Sequence, residues 1–141
     1  MISELFDMFN RTHTGNSDDD RKDFVILVKI ILTSMGSDFY TYMRMLEVND
    51  RKSEAEQIKE YRDMIFALRD GYGRGSVHEE EIVRDLRIIR NKLDIQVMML
   101  RTIEGRQWEA NLFQSIQNDI PNMIFHMENI ASMKIPQRVR S

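Results

Sequence analysis

The stretch Ile82–Ile103, IVRDLRIIRNKLDIQVMMLRTI, decides the fold. Within it Ile82, Leu86, Ile89, Leu93, Gln96, Leu100 and Ile103 follow one another at steps of 4, 3, 4, 3, 4 and 3. This heptad spacing keeps one stripe of a helix against a packing partner. Gln96 is the one break in its apolar chemistry. A thinner stripe, Ile88, Ile95 and Met99, runs along the same segment. A helix with two apolar faces packs on both sides. The segment from Val77 to Glu104 therefore predicts a helix roughly 40 Å long at 1.5 Å per residue. The fold class that follows is all-α, an antiparallel bundle of about four main helices with a short N-terminal helical arm.

The flanking segments extend this pattern towards both ends. Before the seam, Ser76-Val77-His78-Glu79 matches a capping box, with Glu80 and Glu81 in the first turn. Gly71–Ser76, GYGRGS, is the glycine-rich connector. The helix ahead of it opens with a second capping-box match, Ser53-Glu54-Ala55-Glu56, carries Ile58, Tyr61, Ile65 and Leu68, and stops at Gly71. A longer helix runs from near Asp20 towards Val48 through Phe24, Val28, Ile31, Met35, Phe39, Tyr42 and Met45. Gly36-Ser37 is the point where it can bend or split. After the seam, Gly105 breaks the helix, Trp108, Leu112 and Ile116 mark the next, and Asp119-Ile120-Pro121 signals a restart that continues through Ile124, Met127 and Ala131.

Three parts are expected. Residues 1–19 form an amphipathic arm, with Ile2, Leu5, Phe6 and Phe9 on one face, followed by the polar linker Thr12–Asp20. Alone the arm is too short to hold a helix in water, so it docks on its own core, on a sister subunit or on a partner. Residues 20–136 form the bundle, and 137–141 a basic tail.

Composition narrows the chemistry. The 141 residues suit one domain with a real core, and 42% hydrophobic with 30% charged residues is a normal soluble balance. Cysteine is absent, which removes disulfides, thiolate nucleophiles and Cys-ligated zinc. The 11 methionines fall mostly on apolar helix faces and read as flexible core filler. Met1–Arg11 lacks the basic start and apolar run of a signal peptide, and the apolar stretch Phe24–Leu32 is short for a membrane span and contains Lys29. The expected setting is cytoplasmic, with no membrane partner.

Four groups of residues bear on function. The GYGRGS loop has glycines and Arg74 to cradle a phosphate, but it matches no nucleotide fingerprint, and three glutamates follow it. Glu56, Glu60, Asp63, Glu79, Glu81 and Asp85 can place carboxylates around Mg²⁺ from two helices, the arrangement of helical nucleotide hydrolases. Glu60–Asp63 gives one pair at the required spacing and has no companion. The three histidines, His13, His78 and His126, show no metal spacing. Arg84, Arg87, Arg90, Lys92, Arg101 and Arg106 outnumber Asp85, Asp94 and Glu104 on the seam helix, leaving three positive charges within a chain of net charge −3. Nucleic-acid contact through Arg84, Arg87, Arg90 and Arg101 is the second expectation, since Arg suits phosphate.

The first expectation is a non-enzymatic interaction or adaptor protein that works through apolar helix faces and self-associates as a dimer. Leu86, Ile89, Leu93, Gln96 and Leu100 are the expected self-association residues. Leu5, Phe6 and Phe9 are expected to dock a protein partner. A Mg²⁺-dependent nucleotide hydrolase ranks third. No catalytic, metal or cofactor residue is assigned, and no cofactor is expected.

Overall fold

The computed structural model describes the backbone of residues 2–12 and 18–133 and the side chains of 2–9 and 21–129. His13, the core of the linker at 13–17 and the basic tail at 137–141 lie outside the described residues. Six helices run through what is described: α1 (Ile2–Thr12), α2 (Asp18–Val48), α3 (Lys52–Arg74), α4 (Glu79–Thr102), α5 (Gln107–Leu112) and α6 (Gln114–Met133). The fold is an all-α bundle.

Two antiparallel pairs organise it. The first is α2 with α3, joined by a tight turn at 49–51 in which Asp50 takes the left-handed conformation at φ 59°. Phe39 meets Tyr61 edge-on at 5.7 Å between ring centroids, and further from the turn Thr33 receives a hydrogen bond from Arg69. The partners thus recede from the turn in step on both helices. The second pair is α4 with α6, where Arg87 reaches Glu128 at 2.9 Å and Gln117 donates to Asp94 at 3.1 Å.

One helix, Arg21–Val48 within α2, is long and apolar enough to cross a membrane by length and composition. Part of that apolar character faces the core, where Phe24, Val28, Ile31, Leu32, Met35 and Phe39 are buried, but only 39% of the apolar window is covered and Ile26 and Ile30 stand more than half exposed. Lys22, Asp23, Lys29 and Arg44 stand exposed on its other side. Gly36-Ser37 does not split this helix. Gly36 instead leaves room for the ring of Phe66 on α3, since an added Cβ would lie 2.2 Å from Phe66 Cε1.

Several boundaries differ from those the sequence suggests. Helix α3 continues past Gly71 to Arg74 and ends at Gly75, left-handed at φ 81°. It begins at Lys52 with Arg51 as N-cap and no side-chain cap bond, so Ser53 is not the cap. The box before α4 is shifted by two residues: the His78 N–H donates to Glu81 Oε1 at 3.2 Å, while Ser76 Oγ donates back to the Gly71 carbonyl. Glu79, the first residue of α4, is buried. The break near α6 falls at buried Phe113, not at Pro121, which lies inside the helix. An interior proline costs about 3 kcal/mol. Buried Ile116, Ile120, Met123, Ile124 and Met127 form a continuous face across it, and each such side chain contributes about 1.5–3 kcal/mol on burial.

The arm docks on its own body. Ile2, Phe6 and Phe9 belong to the common core, and Leu5 packs against it. Phe6 stacks on His126 of α6 at 4.4 Å and lies 5.9 Å from Phe24 of α2, while Phe9 meets Phe24 edge-on. The assignment of Leu5, Phe6 and Phe9 to an external partner is therefore corrected. Their apolar area is already covered by α2 and α6.

Gly36→Ala sets two effects in opposition. Alanine favours the helix by about 1 kcal/mol, and overpacking against Phe66 costs about 1–3 kcal/mol. A net loss of roughly 1 kcal/mol is expected in urea unfolding. In a Phe66→Ala background the same change should stabilise. Stabilisation of the wild type by Gly36→Ala would show that Phe66 does not set this approach.

His126 ties the arm to pH. Ser3 Oγ lies 3.1 Å from its Nε2, and burial lowers its pKa below the usual 6.5, with the Asp7 carboxylate working in the opposite direction. The docked arm favours the neutral ring. Docking is full above pH 6.5, where free and docked rings are both neutral, and weakens as pH falls below it. Amide-exchange protection of α1 should be constant above pH 6.5 and drop as pH falls below it. His126→Gln should remove that dependence.

Candidate functional site

The inward face of α4 carries Ile82, Leu86, Ile89, Leu93, Val97 and Leu100, all buried within the single chain. Val97 replaces Gln96 in this line, and Ile103 falls beyond the end of the helix. The reason is geometric. A straight helix repeats every 3.6 residues, so a 3.5-residue line drifts about 20° per heptad. By Gln96, about four turns on, the line has reached the edge of the core, although Leu100 on the same line is still buried. Leu86, Ile89, Leu93 and Leu100 consequently have no surface left to offer a second copy, and their assignment to self-association is corrected. Gln96 alone of that group stays at the edge.

The opposite arc of α4 is apolar and exposed. Ile95, Met98 and Met99 show 56%, 62% and 60% of their surface, and Ile88 and Ile103 about 40% each. One edge of this face, at Ile95, Met99 and Ile103, borders α3. Between the two helices lies a groove of about 260 Å³, walled by Glu54 and Gln57 on α3, by Lys92, Ile95, Gln96, Met99, Leu100 and Ile103, and by Arg106. Both polar atoms of the Gln96 amide are shielded from solvent and have no hydrogen-bond partner among the described residues. An unpaired amide of this kind costs about 1–3 kcal/mol.

Charged residues close the far end of the groove. Arg106 donates to both oxygens of fully buried Glu109 at 3.2 Å and also contacts Glu54 of α3. Those carboxylates, Glu109 first, raise the guanidinium pKa above its ordinary value. Arg51 stands 3.7 Å from Glu109, within ion-pair range. At the other end of α4, buried Glu79 pairs with Arg21 at 3.2 Å.

The remaining candidates are tied into the fold. Arg84 pairs with Asp85, Arg87 with Glu128, and Arg101 donates to Asn111 and Gln114. Arg90 is half-buried. In the GYGRGS turn the N–H groups of Gly75, Ser76 and Val77 all bond to the carbonyls of Gly71 or Tyr72. Those donors are not aimed at a phosphate. Of the acidic set, Glu79 is held by Arg21, Asp63 by Arg62 and Asp85 by Arg84. Among the described residues no group of three or more His, Asp or Glu is placed to hold a metal ion.

The structure also brings together two carboxylates that sequence spacing could not connect. Burial raises the pKa of Asp38 on α2, and the charge of Asp119 on α6 raises it further. Asp119 is itself raised by burial. They lie 81 positions apart in the chain; Asp38 carries no sequence signal, and Asp119 stands out only in the Asp119-Ile120-Pro121 restart pattern. Nearby, Tyr42 and Ser115 share a hydrogen bond at 3.1 Å between the same helices.

Comparison with family models, with curated proteins and with solved structures gives no match. The class of protein is thus the one its architecture defines: an all-α helical bundle. The feature of α4 that stands apart from the packed core is an exposed apolar stripe beside a groove with an orphaned amide.

A raised carboxyl pKa means that the folded state carries a penalty wherever that group is ionised. For Asp38 the penalty is present at neutral pH and disappears as pH falls below its unperturbed 3.8, where folded and unfolded chains are both protonated. Asp38→Asn should therefore raise Tm near neutral pH and leave it unchanged near pH 3. An equal shift at both pH values would assign the effect to packing instead of charge.

Proposed function

We propose that the chain is a non-enzymatic interaction protein that associates with a second copy of itself through the exposed face of α4. The observation that supports this is the stripe Ile88, Ile95, Met98, Met99 and Ile103. Its side chains are 40–62% exposed on a helix whose other face is fully packed. Together they offer an area on the order of a few hundred Å², comparable to the largest apolar patch on a typical monomer, which is often a functional surface. Methionine suits such a surface because its unbranched side chain adapts to what covers it. The ion pairs of Arg84 and Arg87 and the hydrogen bonds of Arg101 weigh against the nucleic-acid alternative.

Light scattering across a concentration series tests the proposal. The wild type should pass from monomer to dimer. Ile95→Glu with Met99→Glu should hold it monomeric at every concentration with helicity unchanged, since both side chains are more than half exposed. Leu93→Glu should instead unfold the chain, because it buries an unpaired charge. A wild type that remains monomeric throughout defeats the proposal.

A further inference from the structure

We infer that the second copy docks antiparallel, α4 lying in the α3/α4 groove of its mate with the two Gln96 amides paired on the two-fold axis. This rests on the self-association proposed above and specifies its geometry. A closed dimer of identical chains is isologous, so whatever sits on its axis must complement itself. A carboxamide does so: each donates one N–H and accepts one, and two of them form a reciprocal pair. Gln96 lines the groove, and neither its Nε2 nor its Oε1 has a partner among the described residues; both atoms are covered in the single chain, so the side chain turns out into the groove to meet its mate. The apolar residues around it, Ile95, Met99 and Ile103, are the exposed ones.

Charge gives an independent reason for the direction. Helix α3 runs opposite to α4. Glu54 touches Arg106 just beyond the C-terminal end of α4, while Gly71 receives the N–H of Val77 just before its start. Residues near 57–60 of α3 are therefore level with Leu100. With the axis at Gln96, an antiparallel mate brings its Lys92 to that same level, about 6 Å along the helix from the axis. Glu56 and Glu60 stand there, exposed, as Lys92 does. The ion pairs found among the described residues do not include Lys92, Glu56 or Glu60. The two-fold repeats the match on the other side. A parallel mate would bring Lys92 against its own copy.

The area lies near the lower limit for a stable dimer. A stripe on the order of a few hundred Å² per copy, widened by the α3 flank, approaches the roughly 600 Å² per partner at the low end of stable interfaces.

A charge-reversal mixing experiment tests the arrangement on the full chain. One variant carries Lys92→Glu, the other Glu56→Lys with Glu60→Lys. Each alone should self-associate roughly tenfold more weakly than the wild type, because like charges then face each other at both symmetric sites. An equimolar mixture should recover the dimer, because both sites regain opposite charges in the heterodimer. Gln96→Glu should also weaken association near neutral pH by placing two carboxylates on the axis, with circular dichroism confirming that the fold is kept. If the wild type dimerises and Ile95→Glu with Met99→Glu abolishes it, but mixing the charge variants recovers nothing, self-association stands and the antiparallel geometry is overturned. If the wild type never dimerises, the groove is left to a small molecule or a foreign helix, and both proposals fall.

Discussion

Two buried carboxylates, Glu79 and Glu109, set where α4 lies. One sits at its start and the other just beyond its end, on α5. Each meets an arginine from the α2/α3 hairpin: Arg21 from the beginning of α2, and Arg51 from the turn into α3. Arg106 adds a third link, bridging Glu109 to Glu54. A buried carboxylate without a partner costs several kcal/mol. The hairpin and the α4–α6 pair therefore favour the register that satisfies both ends. An apolar seam alone selects less sharply, because cores of Ile, Leu and Val tolerate rearrangement when volume is kept. Here the ion pairs choose the arrangement and the seam supplies the stability.

Clamping at the ends has a consequence in the middle. Helix α3 turns its apolar stripe to α2, with Tyr61 against Phe39 and Phe66 against Gly36. Helix α4 turns its own to α6. The two helices approach where Gly71 meets Val77 and again where Glu54 meets Arg106. Between those points their flanks stand apart, which leaves the groove. The exposed stripe is thus a product of the architecture: α4 carries two apolar arcs, and its own chain covers one of them.

The sequence makes the helices legible because each carries a strong 3.6-residue pattern over several turns. Their ends are less so. Ser53 and Ser76 each begin a capping-box pattern, yet neither caps its helix, because position within the chain does not reveal where the backbone first becomes helical. Pro121 looks like a restart, and burial on both sides overrides it. Glu79 reads in the sequence as part of a capping box or of a Mg²⁺ carboxylate set, and Glu109 carries no signal at all. Their arginines come from segments 58 residues away in each case, and no spacing rule connects such pairs. The stripe Ile88, Ile95 and Met99 is visible in the sequence, but which of the two arcs faces outward depends on α6, a helix specified elsewhere in the chain.

Gln96 shows why the sequence periodicity and the folded core disagree. The heptad line that includes it starts in the core at Ile82 and ends exposed at Ile103. The core itself follows the 3.6-residue path through Val97. Gln96 and Ile103 share the first line, and both line the groove. For the monomer, a leucine at position 96 would be the better choice, since it would add apolar contact and remove an unpaired amide. An amide at that position instead suits an interface formed from two identical halves, where one side chain must serve as its own partner. In the proposed dimer the cost in the isolated chain would be recovered on association, and the same hydrogen bonds would fix the register of an otherwise adaptable methionine-rich surface.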